Sequence, residues 1–313
     1  MYDLRTNDAV EWVKKQCVAL HSNSQNINRA LFAPLSSLFR SARIIGLGEA
    51  THGTQEFFAL KFLLVKYLVE HQGFNIFAIE ANKTATERIN KYVKDGEGDP
   101  AELLRGIYRI WNSTELLEII EWMHNRNAKG NHTVVEFKGF DIQTSITDDI
   151  QSQTMMRDRL MAENVRSIFD NGVSNSKLIL WAHNFHVARQ AETMGSHLSE
   201  MFAADYCPIG FCFHEGQYNA RENDVVSSFE AQPSTLGGCE WLFHCTGVSE
   251  FIIDLRSNAL HPVLKNLFAL PSPLHDIGAV KQENDFGEVT IAAAYDGLVF
   301  VDRTTPSHLL PQE

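Results

Sequence analysis

The stretch RIIGLGEATHGTQEFFALK, residues 43–61, decides how this chain is read. Arg43 to Gly48 is a short apolar run of the kind that forms a strand covered on both faces. A turn follows, and from Gln55 onward the apolar residues recur at helical spacing. Strand, turn and helix in that order open an α/β unit. The turn is unusual in carrying a carboxylate and an imidazole, Glu49 and His52. Gly46 and Gly48 could begin a dinucleotide fingerprint, but Thr51 stands where its third glycine or alanine belongs. Glu49 would also face a pyrophosphate, and no GxxxxGK[ST] occurs anywhere. The turn is therefore read as a device for moving a proton, not for holding a phosphate.

The same alternation runs along the chain. Apolar, β-rich runs at 43–47, 75–80, 133–140, 177–182, 208–213, 250–255 and 298–302 predict strands. Helical patterns fall near 7–21, 55–71, 83–94, 100–107, 114–127, 147–170 and 190–204. This predicts an α/β fold with a mainly parallel sheet and helices on both faces. For the helix at 114–127 the expected N-cap is Asn112, with Glu115 three residues on. Residues 216–240, with Gly216, Pro233, Gly237 and Gly238, predict loops, and PSP at 271–273 predicts another turn. No repeat or long linker divides the chain. Residues 1–313 are read as one domain with a helical lead-in over 1–40.

Composition removes several classes of function. The chain has 27 Lys and Arg against 39 Asp and Glu, a net charge of −12, and no basic block, so no nucleic-acid partner is expected. Its most apolar stretch, 57–69, is cut by Lys61 and Lys66 and is too short to span a bilayer, so no membrane partner is expected. The first residues, MYDLRTNDAVEW, lack the apolar core of a secretory signal. Five cysteines without a CxxC fit a reducing compartment, and the expected location is the cytoplasm.

In an open parallel sheet, ligands bind beyond the carboxyl ends of the strands. The first strand delivers Glu49 and His52 there, and the second ends at Glu80. The third runs into Asp141 and Gln143, and the fourth ends in WAHNFHV, with His183 and His186. YRIWNSTE adds Arg109, Trp111 and Glu115. Taken singly, these are the residues of caps, ion pairs and cores. Their convergence on one rim is what points to chemistry.

The chain has no GxSxG elbow and no HExxH, and nothing has metal-specific spacing, so neither metal nor cofactor is expected. A metal-dependent hydrolase on the same scaffold remains an alternative, as does a non-catalytic binding module. What is left is water activated by an imidazole that a carboxylate orients. His52 with Glu49 or Glu80 fits, and Arg109, His183 or His186 would stabilise an oxyanion. Trp111, Glu115, Asp141 and Gln143 are assigned to substrate binding. Such a set cleaves an ester or a similarly activated acyl bond.

In this order GEATHGTQEF, GFNIFAIEA, RIWNSTELLEIIEWMHNRN, GFDIQ and HNFH resemble the erythromycin esterase family, as does the tail DGLVFVDRTTPSHLL. The resemblance implies a three-layer α/β/α sandwich with helical segments over the cleft. It implies His52 as general base with Glu49 and Glu80 as partners, and Arg109, His183 and His186 completing the polar cleft. The implied reaction is metal-independent hydrolysis of an ester or lactone, in antibiotic resistance or biosynthesis. One departure stands out. Only 39 residues lie between Gln143 and His183, where members that open macrolides carry a long helical stretch. Residues 144–176 are thus read as a shortened insert, which weakens the macrolide as substrate. The remaining alternative is acyl transfer or ring closure in secondary-metabolite biosynthesis.

Overall fold

The computed structural model describes residues 4–23, 30–142, 150–173, 175–256 and 260–311. The run that opened the reading is strand β2 (Ile44–Leu47), following helix α1 (Leu4–Gln16), strand β1 (Val18–Ala19) and helix α2 (Ser36–Arg40). Beyond the turn, α3 (Gln55–His71) leads to β3 (Ile76–Asn82), α4 (Lys83–Asp95), α5 (Pro100–Leu104), α6 (Thr114–Ala128) and β4 (Glu136–Asp141). Next come α7 (Ile150–Asp170), β5 (Leu178–Trp181), α8 (Asn184–Val187), α9 (Met194–Phe202), β6 (Tyr206–Glu222) and β7 (Val225–Ala231). The chain continues through α10 (Cys239–His244), β8 (Glu250–Asp254), α11 (Pro262–Ala269), β9 (Ser272–His275), β10 (Phe286–Val289), α12 (Ile291–Ala294) and β11 (Gly297–Thr304).

The main sheet has the order β1-β8-β11-β6-β2-β5-β3-β4, with β7 added to β6. From β4 to β11 every neighbouring pair on that path is parallel, while β8 and β1 close the far edge through antiparallel pairings. Strand alternation sends side chains to two apolar layers. Ile45 and Leu47 face Phe57, Phe58 and Leu64 of α3 and Ile120 of α6. Ile44 joins Val13 of α1, Met161 and Val165 of α7 and Leu198 of α9 on the other side. This is the expected three-layer sandwich.

Local chemistry sets the element ends. Asn82 caps α4 by accepting from the Thr84 and Ala85 amides, and Gly96 ends it at φ 75°. Helix α6 is capped by Ser113, whose hydroxyl accepts from Leu116, not by Asn112. Residues 216–240 depart from expectation because β6 continues to Glu222 and turns back as β7. Asn223 and Asp224 make that two-residue turn with φ 49° and 64°, the left-handed pair a tight hairpin needs. PSP at 271–273 likewise enters an edge strand, β9, which pairs with β10 and tolerates Pro273. The lead-in is part of the sandwich, since β1 pairs with β8 and Phe32, Leu35 and Leu38 are buried. Within 144–176, α7 is one long helix. Among the described residues no helix is long and apolar enough to cross a membrane.

Candidate active site

Glu49 and His52 sit in the turn at the carboxyl end of β2. The turn can pass there because Gly48 has no side chain. A Cβ on Gly48 would meet Asn184 Oδ1 at 2.2 Å. Asn184 needs that space to bridge Phe211, donating to its carbonyl at 2.7 Å and accepting from its amide at 3.0 Å. Glu49 is fully buried, with Oε1 2.5 Å from His52 Nδ1 and Oε2 accepting from Lys61 Nζ at 2.6 Å. Burial pushes the Glu49 carboxyl up, but the charge of Lys61 and the contact with His52 outweigh it and hold it below its ordinary value. Burial pulls Lys61 down to about 8, against the pull of Glu49. Among the described residues no hydrogen bond occupies His52 Nε2.

A second group forms where β3, β4, α7 and α8 meet. Arg157 of α7 donates from Nη2 to Glu80 at 2.7 Å and from Nε to Asp141 at 2.8 Å. His186 has Asp158 Oδ1 2.8 Å from Nδ1 and Glu80 Oε1 3.2 Å from Nε2. Burial alone would strip the proton from His186. The Glu80 and Asp158 carboxylates reverse that and push it up to about 10, so the ring is an imidazolium at neutral pH. Burial also raises Glu80, yet His186 and Arg157 together hold it well below the usual range. Asp141 goes the other way, raised because burial exceeds the pull of Arg157.

His183 stands between the two groups as the N-cap of α8. Its Nδ1 accepts from the Phe185 amide, and its Nε2 lies 3.3 Å from the Ala50 carbonyl. Burial holds its pKa below the ordinary value, although Asp276 at 3.4 Å opposes this. Asp276 Oδ1 is buried and has no hydrogen-bond partner among the described residues. The His183 ring lies 5.3 Å from that of His52, and the Trp111 ring stands edge-on to His52 at 5.2 Å. Gly278, at φ 69°, lets its loop lie against the turn, its amide reaching Ala50 O and its carbonyl the His52 amide.

These side chains share one cleft of about 400 Å3, in which His52, Glu80, Trp111, Arg157, His183 and His186 are all wall residues. Glu49 lies directly beneath. Three expected residues lie elsewhere or are not described. Arg109 donates to the carbonyls of Asn112 and Leu310, so it ties the tail to the helix connection and does not line the cleft. Glu115 pairs with His308 at 2.8 Å, on another face. Gln143 lies outside the described residues. Asp141 reaches the cleft only through Arg157. Of the two partners expected for His52, Glu49 holds it, while Glu80 serves Arg157 and His186.

Arg157, Asp158, Lys61 and Asp276 were missed. A signal existed for two of them. Asp158 falls on the apolar stripe of α7, three and four residues before buried Met161 and Ala162. Lys61 falls on the apolar face of α3 between Phe57, Phe58, Leu64 and Val65, all buried. A charge on a buried stripe needs a partner. No group of three or more His, Cys, Asp or Glu among the described residues is arranged to hold a metal ion.

Fold and site together define an α/β/α protein with a histidine–carboxylate cleft at the carboxyl edge of its sheet. The sequence model of the family described as Erythromycin esterase matches residues 69–154 and 145–304, and the chain belongs to that family. Erythromycin esterase type II of Escherichia coli is 30% identical over 132 residues, 42% of this chain and 31% of that one. The chain thus matches under a third of the length of that relative. The crystal structure of a succinoglycan biosynthesis protein superposes with a TM-score of 0.87 at 19% identity, covering 99% of this chain and 100% of the other. A mutant of the erythromycin esterase EreC in its open conformation gives 0.73 at 14% identity, over 95% and 99%. At these identities the two structures speak for the fold alone.

Proposed function

We propose that this chain is a hydrolase that opens an ester or lactone with water activated by His52. The observation that carries the reading is the state of one ring. A buried carboxylate takes His52 Nδ1, while among the described residues Nε2 has no hydrogen-bond partner and the ring lines a cleft. With its proton on Nδ1, the imidazole offers the Nε2 lone pair to water. Water gives up a proton to Nε2 as its oxygen bonds to the acyl carbon. The carbonyl π pair moves to oxygen, and the tetrahedral species collapses as the leaving alkoxide takes the proton back from Nε2. Glu49 stabilises the transient imidazolium.

The oxyanion needs a donor, and Arg157 suits that role better than the three groups first considered. Its Nε and Nη2 are committed to carboxylates, but among the described residues the hydrogen-bond contact of Nη1 is with His186 Nε2 alone, at 3.1 Å. A charged His186 cannot accept, so the Nη1 protons are left for the cleft. The same guanidinium fills the space between Glu80, Asp141 and His186 that a divalent cation would want, which supports a reaction without metal. The cleft lies at the small end of ligand pockets, which favours a compact acyl substrate over a macrolide. The family's name and the name of its Escherichia coli relative favour hydrolysis over acyl transfer. A panel of small esters and lactones, assayed with wild type and His52→Ala, tests the reading. Turnover of His52→Ala within about tenfold of wild type sinks it.

A further inference from the structure

The His52–Glu49 pair rests on a third group that touches neither the cleft nor any reacting atom. We propose that Lys61 is a positioning residue, which fixes the tautomer of His52 by keeping Glu49 an acceptor only. The proposal rests on the reading of His52 as base. Lys61 Nζ is wholly buried, bonded to Glu49 Oε2 at 2.6 Å and stacked over the Trp181 ring at 4.2 Å. A buried ion pair is a poor way to hold a helix on a sheet, because apolar side chains of similar volume do that as well or better. What an apolar residue cannot do is set the charge of Glu49.

The charge count gives the consequence. With Lys61 present, an ionised Glu49 and a neutral His52 make a buried set of net charge zero. Glu49 can then only accept, so the imidazole proton lies on Nδ1 and Nε2 keeps its lone pair. Without Lys61 the same state carries one uncompensated buried negative charge, which a further proton relieves. That proton goes either to the imidazole, giving an imidazolium, or to Glu49, which then donates to Nδ1 and moves the imidazole proton to Nε2. In both states Nε2 bears a hydrogen and cannot take one from water. Glu80 from β3, Arg157 from α7, His183 and His186 around α8, and Asp276 beyond β9 also face this set. They are the same with or without Lys61.

The test reads the ring nitrogens directly, with 15N NMR of histidine-labelled protein and the His52 signals identified by their absence in His52→Ala. At neutral pH, wild type is expected to show an unprotonated, pyridine-like Nε2. Lys61→Met and Lys61→Gln are expected to show Nε2 protonated, with kcat/KM reduced about tenfold or more at neutral pH and recovering as pH rises. Should Lys61→Met not fold, Lys61→Gln, which retains a donor for Glu49, carries the test. An unprotonated Nε2 in whichever variant folds overturns the proposal, as does loss of fold in both. The nitrogen shifts need no substrate. A failure of the hydrolase reading is therefore distinguishable, showing as near-wild-type turnover in His52→Ala while the Lys61 result stands.

Discussion

Two clusters in this cleft are built from nearly the same parts and do opposite things. Around His52 there is one imidazole, one buried carboxylate and one buried cation, and each carboxylate oxygen has a single donor. Around His186 there is one imidazole and one cation, but carboxylates stand at both ring nitrogens. The second ring is pushed up to about 10 and held as a cation, while the first keeps, among the described residues, an unpartnered nitrogen at the cleft. Residue type does not separate the histidine proposed as base from the one held as a cation. The number of carboxylates touching the ring does.

The largest effect that could break this contrast is at His52. Removing its ring in His52→Ala should lower kcat/KM by about 10²–10⁴-fold, the range of a general base, with circular dichroism unchanged. A variant within tenfold of wild type would erase the distinction between the two clusters. Next comes Arg157. Arg157→Met leaves Glu80 and Asp141 buried without their shared cation, which should cost about 3–5 kcal/mol in urea unfolding. Kinetics on whatever remains folded should fall by about 10²–10³ in kcat if the guanidinium serves the oxyanion. Arg157→Lys should restore little, since an ammonium cannot reproduce the fork that spans both carboxylates.

A smaller effect sharpens the contrast through pH. The folded-state pKa of His186 lies above its ordinary 6.5, so its stabilisation is full below that pH and is lost as pH rises through about 10. Glu80 is depressed below its ordinary 4.5, so its contribution is full above that pH and is lost as pH falls below it. Both are at full strength only between those two ordinary values. The contribution of His186 to the urea unfolding free energy should therefore be full there and fall towards alkaline pH by about a few kcal/mol. In the total this is partly offset by Lys61, whose pKa near 8 makes its own contribution rise over the same limb. In His186→Gln that alkaline decline should flatten. Lys61, pulled down to about 8, gains stability over the alkaline limb in both proteins and so cancels in the comparison. Equal slopes in wild type and His186→Gln between pH 6.5 and about 10 would show that the ring is not held as a cation.

The sequence revealed one side of the site and hid the other, for a physical reason. Strand tips were legible because strands covered on both faces read as continuous apolar runs, and their ends mark the ligand rim. That reading brought Glu49, His52, Glu80, Asp141, His183 and His186 to one rim, where the structure also gathers them. Arg157 was hidden because it lies in mid-helix and meets Glu80 across 77 residues of chain. A local window reports whether a side chain suits solvent, not which distant carboxylate it will meet. Arg109 misled for the same reason in reverse. It stands two residues from Trp111, which does line the cleft, but its own partners are carbonyls at 112 and 310. The hairpin of β6 and β7 was hidden because Gly216, Pro233, Gly237 and Gly238 read as loop, while the turn itself is made by Asn223-Asp224, which has no glycine.

Arg109 and Glu115 therefore supply the smallest effect and the sharpest limit on the site. Both were expected at the cleft, and both instead tie the tail to α6 and the turn before it. Glu115 is mostly buried while its partner His308 is 63% exposed, so solvent screens the pair and its worth is at most about 1 kcal/mol. Arg109 bonds two backbone carbonyls, contacts worth about 1–3 kcal/mol together. Arg109→Met and Glu115→Gln should accordingly lower the melting temperature by a few degrees and leave kcat/KM within about twofold of wild type. The comparison with Arg157→Met is then direct, since each arginine replacement removes one guanidinium and only one of the two faces the cleft. If Arg109→Met instead lowered turnover tenfold or more at unchanged melting temperature, the working surface would have to extend past Trp111 to the tail. The boundary drawn here between site and scaffold would move with it.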